Sequence, residues 1–205
     1  MFAGMETTIN RLRQGLARLI SDRRGVAAVE FAFIAPLLLC MYFVTMEVGQ
    51  AIETNKKVGR VGSMVADLIT QQQTITPTEV EAVMKIGEST LAPYNRSKST
   101  ITVTAIEVTT DATPQVKVAW SRKLANGAIV SGPAKGSATT IPDALKVAGS
   151  FLVRVQSELD YKPVITWAAS GKKTLGLTSA FDNIGMSETY YLRPRMSTTV
   201  TCSAC

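Results

Sequence analysis

A long apolar segment near the N-terminus constrains this chain more than any other feature. Residues 31–46 contain no charged side chain, and extending the segment back to Val26 adds only one, Glu30. A bilayer core of about 30 Å takes about 20 helical residues to cross. A soluble helix seldom stays apolar on every face over such a length. The segment therefore predicts a single transmembrane helix.

The basic residues on either side of this segment predict its orientation. Five arginines precede it and only three basic residues follow it closely: Arg11, Arg13, Arg18, Arg23 and Arg24 before, and Lys56, Lys57 and Arg60 after. This bias favours a cytoplasmic N-terminus and an external remainder. Residues 6–20 are amphipathic, which fits either a helix on the membrane surface or a mobile basic leader. The net charge of +6 is scattered and aromatic residues make up only 6%, so we expect no nucleic-acid binding.

Glu30 is the one charged residue inside the apolar segment. An ionised carboxylate in hydrocarbon costs roughly 2.5 kcal/mol or more, so such residues usually have a partner or a function. A bland alternative is that Glu30 lies at the headgroups and pairs with Arg23 or Arg24. Both interpretations stay open on these residues alone.

The residues around Glu30 resemble a known export signal. Basic residues followed by Gly25, a short apolar stretch, Glu30-Phe31 and a long apolar helix resemble the class III signal of type IV prepilins. Over residues 23–66 the chain is similar to TadE/TadG-like proteins of the tight-adherence (Tad) pilus system. The matching positions are Gly25, Ala27, Val29, Glu30, Phe31, Ala32, Pro36, Glu47 and Gly49.

This resemblance implies a function and a set of site residues. A prepilin peptidase would cut between Gly25 and Val26, and Glu30, beside Phe31, would neutralise the free α-amino group of a neighbouring subunit during assembly. Pro36 would kink the transmembrane helix. The chain would be a minor pilin or pseudopilin of the bacterial inner membrane, with its C-terminal domain in the periplasm or carried into the extracellular pilus. Its implied partners are the peptidase, other pilins and pseudopilins, and the Tad inner-membrane assembly platform.

Other functions compete with this one. Gly49-Gln50-Ala51 places small residues after an apolar core, as signal peptidase requires, although the apolar run exceeds the usual length of about 7–15 residues. A second alternative is an unprocessed single-pass anchor whose external domain binds another envelope component.

Beyond the membrane segment, the sequence predicts an α+β fold with a small antiparallel sheet and one or two packed helices. The first helix should continue as a stalk to Gln71. Within it, Gly49, Gly59 and Gly62 either offer places for another helix to approach or make the helix locally flexible. Thr76, Pro77 and Glu79 predict the start of a second helix, which runs to Leu91. Period-two patterns and turn residues predict strands near residues 101–108, 116–121, 150–161 and 188–201, with a turn at Asn126-Gly127. The predicted divisions are a cleaved cytoplasmic leader (1–25), a transmembrane and stalk helix (26–71) and a periplasmic domain (72–205).

The sequence offers little support for catalysis. It has no histidine, the commonest general base and a favoured metal ligand, and it has no glycine-rich phosphate loop. We therefore expect no enzyme, cofactor or metal. Cys202-Ser203-Ala204-Cys205 fits a structural disulfide best in an oxidising compartment, while a redox pair, half of a zinc site or free thiols remain alternatives. Five aromatic residues could form a contact surface or belong to the core: Tyr161, Trp167, Phe181, Tyr190 and Tyr191.

Overall fold

The computed structural model describes residues 25–94, 97–163 and 184–205, and it confirms the expected α+β architecture. Two helices and a small antiparallel sheet account for most of the described residues. The elements are α1 (Val26–Thr70), β1 (Thr74–Ile75), α2 (Pro77–Ser89), β2 (Thr100–Val108), β3 (Val116–Ala125), β4 (Ala128–Val130), β5 (Phe151–Tyr161), β6 (Ile184–Leu192) and β7 (Thr201–Cys202).

The chain divides into two compact units, Met1–Met46 and Glu47–Cys205. The described part of the first unit is the beginning of α1, whose side chains from Val26 to Met46 are exposed apart from the half-buried Ala35. Among the described residues, α1 is the one helix long and apolar enough to cross a membrane. The second unit contains the rest of α1 together with the sheet.

The second unit is built around a five-stranded antiparallel sheet in the order β4-β3-β2-β5-β6. The later part of α1 and α2 bury their apolar stripes in one core with the sheet. The α1 stripe consists of residues at three- and four-residue steps, all at most 1% exposed: Val58, Val61, Val65 and Ile69. The sheet contributes Ile101, Val103, Ala105, Val153 and Val155 to the same cluster. One face of a helix and one face of a sheet thus close the core.

Helix α2 begins with the predicted capping box. The Thr76 hydroxyl accepts a hydrogen bond from the Glu79 backbone N–H at 3.3 Å, and the Glu79 carboxylate accepts one from the Thr76 backbone N–H at 2.8 Å. The hydrogen bond from the Thr76 backbone N–H, and after it the one from the Thr76 hydroxyl, holds the pKa of the Glu79 carboxyl below its ordinary value. These bonds satisfy donors that a helix start would otherwise leave unpaired.

The predicted turn at Asn126-Gly127 is also confirmed. Asn126 and Gly127 have φ of 54° and 78°, and Ala125 pairs with Ala128 across them. A two-residue hairpin turn of type I′ requires positive φ at both central positions, which Asn and Gly tolerate best. The resulting strand β4 was absent from the sequence prediction.

The last predicted strand is displaced. It was expected over residues 188–201, whereas β6 spans Ile184–Leu192 and ends before Arg193-Pro194. Proline has no N–H for a ladder, and the next N–H, that of Arg195, donates instead to the Thr70 carbonyl of α1 at 2.9 Å. Residues 193–205, called the C-terminal strap below, therefore leave the sheet to cap the end of α1.

The C-terminal strap is fastened along its length. The Arg195 guanidinium lies 2.9 Å from the Asp67 carboxylate, and β7 pairs in parallel with β1. The Trp120 indole N–H donates to the Val200 carbonyl at 2.7 Å, and Arg122 donates to the Ala204 carbonyl at 3.0 Å. These bonds connect the strap to α1, β1 and β3.

Candidate functional site

Gly25 and Val26, the residues of the predicted cleavage, lie at the start of α1. The helix begins at Val26, with Gly25 directly before it. Gly25 is exposed, and a Cβ added to it would meet no atom within 4 Å in the described part of the chain. The Gly25-Val26 peptide bond therefore lies in an open position at a helix terminus.

Glu30 and Phe31 lie in the early turns of α1 and are both exposed, with Phe31 at 69%. Within the described residues, Glu30 makes no salt bridge. Arg23 and Arg24, the alternative partners of Glu30, lie outside the described residues, as does the amphipathic segment 6–20. The assembly role of Glu30 and the pairing with these arginines both stay predictions.

Pro36 lies inside α1, which continues through it without interruption. The expected kink at this residue stays a prediction. Cys40, one turn later, carries an exposed free thiol in the apolar part of the helix.

A buried polar pair connects the first residue of the second unit to the end of β5. The Tyr161 hydroxyl donates to Glu47 Oε1 at 2.6 Å, with Glu47 8% exposed and Tyr161 fully buried. The Tyr94 ring stacks on Tyr161 with centroids 5.3 Å apart, and its hydroxyl accepts the Lys162 backbone N–H at 2.7 Å. A buried carboxylate needs such donors. Glu47 was noted in the sequence as the acidic residue after the apolar run, but its partner was not foreseen.

Gly59 and Gly62 allow α1 to approach the sheet closely. A Cβ on Gly62 would lie 2.8 Å from Tyr190 Cδ2 and 3.0 Å from Ser157 Oγ, and one on Gly59 would lie 3.2 Å from the Tyr190 hydroxyl. Ser157 also donates to the Val58 carbonyl at 2.8 Å. The prediction that another helix approaches at these two glycines is therefore wrong within this chain, because β5 and β6 occupy that side.

Gly49 differs from Gly59 and Gly62, since a Cβ added to it would meet nothing within 4 Å.

The aromatic residues singled out in the sequence lie in different surroundings. Tyr161 belongs to the core, Tyr190 packs against the core from a half-buried position, and Trp167 and Phe181 lie outside the described residues.

Cys202 and Cys205 are joined by a disulfide, with their Cα atoms 5.5 Å apart. Both cysteines pack against the hydrophobic core. The bond closes the end of the C-terminal strap beside β3. This arrangement suits a structural fastening, because the pair lies at no helix N-terminus that would lower a thiol pKa.

Comparison with known proteins gives one finding. Residues 25–66 match the model of a family described as TadE-like protein, whereas no curated protein and no solved structure matches the chain. The match begins at Gly25 and ends within α1, so it covers the helix start, the apolar segment and the glycines that face the sheet. It supports involvement in Tad pilus assembly. Residues 25–66 are thus similar to the TadE-like family.

Proposed function

We propose that this chain is a minor pilin or pseudopilin that is cut between Gly25 and Val26 by a prepilin peptidase and takes part in assembling a Tad pilus. One observation carries the proposal. The TadE-like match starts at residue 25 and α1 starts at Val26, so family similarity and helix begin together at the predicted bond. The exposure of Gly25 supports access by a peptidase.

The positive charge that cleavage would create at Val26 explains why a nearby carboxylate, Glu30, is needed for assembly. Cleavage would leave an α-ammonium group on Val26, at a helix end that already carries partial positive charge. The first turn of α1 holds no acidic residue to offset it. The Glu30 carboxylate of a neighbouring subunit would neutralise the ammonium in a low-dielectric bundle, where each charge alone is costly, and the pairing would fix the axial register.

The same proposal assigns compartments and partners. Residues 1–25 form a cytoplasmic leader, the apolar part of α1 spans the inner membrane, and the sheet-bearing unit lies in the periplasm. The partners are the prepilin peptidase, other pilins or pseudopilins, and the Tad assembly platform. The exposed apolar side chains of α1 support contact with lipid or with other membrane helices.

The first test is the mature N-terminus, measured by mass spectrometry on the chain expressed in its host with and without an active prepilin peptidase. A peptidase-dependent start at Val26 is expected, and Gly25→Leu should block it because the larger side chain cannot take glycine's place in a narrow cleft. An intact N-terminus in both hosts would favour the unprocessed anchor. A start at Ile52 would indicate an ordinary secreted domain.

The second test separates processing from assembly. Glu30→Gln removes the charge and keeps the side-chain size, so insertion and cleavage should persist while recovery of the protein with sheared pili falls at least about tenfold, equivalent to about 1.4 kcal/mol. Glu53→Gln is the matched control, since Glu53 is 68% exposed and pairs with Lys57 at the surface, a contact that contributes little to stability. Equal recovery of both variants would contradict the register role.

A further inference from the structure

The two edges of the sheet are protected very differently. On one edge, β4 and residues 136–139 cover β3. In that cover, Val118 donates to Ser137 at 2.9 Å, Gly136 donates to Val118 at 2.7 Å and Thr139 donates to Val116 at 3.0 Å, all through backbone atoms. The other edge is β6, which is nine residues long and pairs with β5 on one side.

The direction of each β6 backbone group follows from the ladder. The Val108 N–H donates to the Ser150 carbonyl at 2.9 Å, and antiparallel strands alternate between hydrogen-bonded and non-hydrogen-bonded pairs. The registers of β2 with β5 and of β5 with β6 are unbroken, so the same alternation continues across both pairs of strands. It leaves four β6 residues with N–H and C=O groups that point away from β5: Gly185, Ser187, Thr189 and Tyr191. No backbone hydrogen bond joins these groups to another described residue.

Apart from one half-buried carboxylate, Glu188, strand β6 lacks the features that usually protect an edge. Free edges are commonly blunted by lysine, proline, a bulge or a short strand, and β6 has none of these over Ile184–Leu192. Its single charged residue is Glu188, which is half-buried and makes no salt bridge within the described residues. A partly buried, unpaired carboxylate beside open backbone groups suits a cationic partner.

Pairing with a second copy of β6 is disfavoured by direction. Glu47 contacts Tyr161, which pairs with Ile184, whereas Thr70 contacts Arg195 beyond the other end of β6. This part of α1 therefore runs in the same direction as β6. Antiparallel pairing of two β6 strands would place the two Glu47 residues at opposite ends of the joint sheet, although each chain continues from Glu47 into an apolar segment expected to enter the same membrane.

We propose that the open edge of β6 binds an extended segment of a different polypeptide by strand addition, with a Lys or Arg of that segment opposite Glu188. The outward groups of Ser187, Thr189 and Tyr191 supply the main-chain bonds, and Glu188 supplies the selection for a basic residue. That the segment comes from another component of the pilus machinery rests on the proposed function.

The open edge is tested first on the full-length chain in detergent micelles, by residue-resolved hydrogen exchange. The amides of Ser187, Thr189 and Tyr191 should exchange at least about a hundredfold faster than those of Glu188 and Tyr190, because only the latter bond to β5. Thr189→Pro, which removes an outward N–H, should unfold within a few degrees of wild type, whereas Glu188→Pro should unfold far lower. Equal protection of neighbouring amides, or equal damage by the two prolines, would overturn the proposal.

The partner is tested in the host with a photo-crosslinking benzoylphenylalanine at Ser187. The expected adduct joins this chain to a different polypeptide, within a segment that carries a basic residue, and it persists in Thr189→Val but is lost in Thr189→Pro. An adduct between two copies of this chain, or one insensitive to Thr189→Pro, would overturn the proposal. A proline-sensitive adduct in cells whose pilus yield is unaffected by Thr189→Pro would support the edge while contradicting the proposed function.

Discussion

The two parts of α1 form one continuous helix but face different surroundings. From Val26 to Met46 its apolar side chains are exposed on every side, as in Phe33 at 77%. The part from Glu47 to Thr70 still exposes Val48 and Ile52, but from Val58 onward it buries an apolar stripe on one face. In both parts, the hydrophobic effect favours removal of the apolar side chains from water. The first part finds no such cover among the described residues, whereas the second finds it against its own sheet. The environment of a helix thus follows from how its apolar residues are distributed around it.

The largest expected difference between the two parts concerns truncation of apolar side chains. Ile69→Ala should lower the free energy of unfolding by about 2–5 kcal/mol, because it leaves a cavity in the core at a residue that is 0% exposed. Leu38→Ala, at a residue that is 57% exposed, should change it by less than about 0.5 kcal/mol. Chemical unfolding of the full-length chain in micelles measures both. Similar losses would abolish the distinction between the two parts.

The boundary between the two parts is tested at the Glu47–Tyr161 pair. Tyr161→Phe removes the hydroxyl that donates to the buried Glu47 carboxyl, so it should cost about 1–3 kcal/mol of unfolding free energy. Tyr191→Phe is the control, since Tyr191 is half-buried and its hydroxyl makes no hydrogen bond within the described residues. A Tyr161→Phe variant as stable as Tyr191→Phe would show that this pair does not hold α1 to β5.

Two glycines of the second part, Gly49 and Gly62, should respond in opposite ways to an added methyl group. Gly62→Ala places a Cβ against Tyr190 and Ser157 and should cost about 1–3 kcal/mol through overpacking. Gly49→Ala has open space and should raise stability by up to about 1 kcal/mol, since alanine is the better helix former. Thermal unfolding of the two variants gives the comparison. A stabilising Gly62→Ala would mean that the sheet can move away from α1.

The smallest expected effect concerns how the two helices begin. Helix α1 has no acidic residue in its first turn, whereas α2 has Glu79, whose pKa is lowered from 4.5 by the Thr76 bonds. Because this pKa is lower in the folded state, its contribution to stability is complete above about pH 4.5 and is lost as the pH falls through the folded value. Glu79→Gln should flatten the acid side of the stability curve, and Thr76→Ala should do so in part. Unchanged slopes in stability measured from pH 6 to about pH 3 would contradict the capping account.

Much of the fold could be predicted because its signals are local. The period of the apolar residues predicted α1 and three of the strands, and Thr76 with Glu79 predicted the start of α2. Asn126-Gly127 predicted a turn because few other residues accept positive φ at both positions. In each case the structure formed depends on residues close together in the sequence, so it could be predicted without knowing any distant partner.

The candidate site could be predicted only in its N-terminal half. Gly25 and Glu30 were singled out because their spacing along one segment resembles a family signal, and their roles in cleavage and assembly stay predictions. Tyr161 could not be assigned as the partner of Glu47, because the two are 114 residues apart in the chain. The displaced end of β6 has a similar cause, since Arg195 bonds to the distant end of α1 rather than to a neighbouring strand.

The sequence by itself determined the apolar helix, the predicted cleavage position, the α+β class and the absence of familiar catalytic patterns. Only the tertiary structure decided that the compact unit begins at Glu47, that the C-terminal strap caps α1, and that β6 is the last strand of the described sheet. The physical reason is the range of the interactions. Periodicity, capping and turn chemistry act over a few residues, whereas burial of Glu47, docking of the strap and strand order depend on which distant surfaces fill the core together.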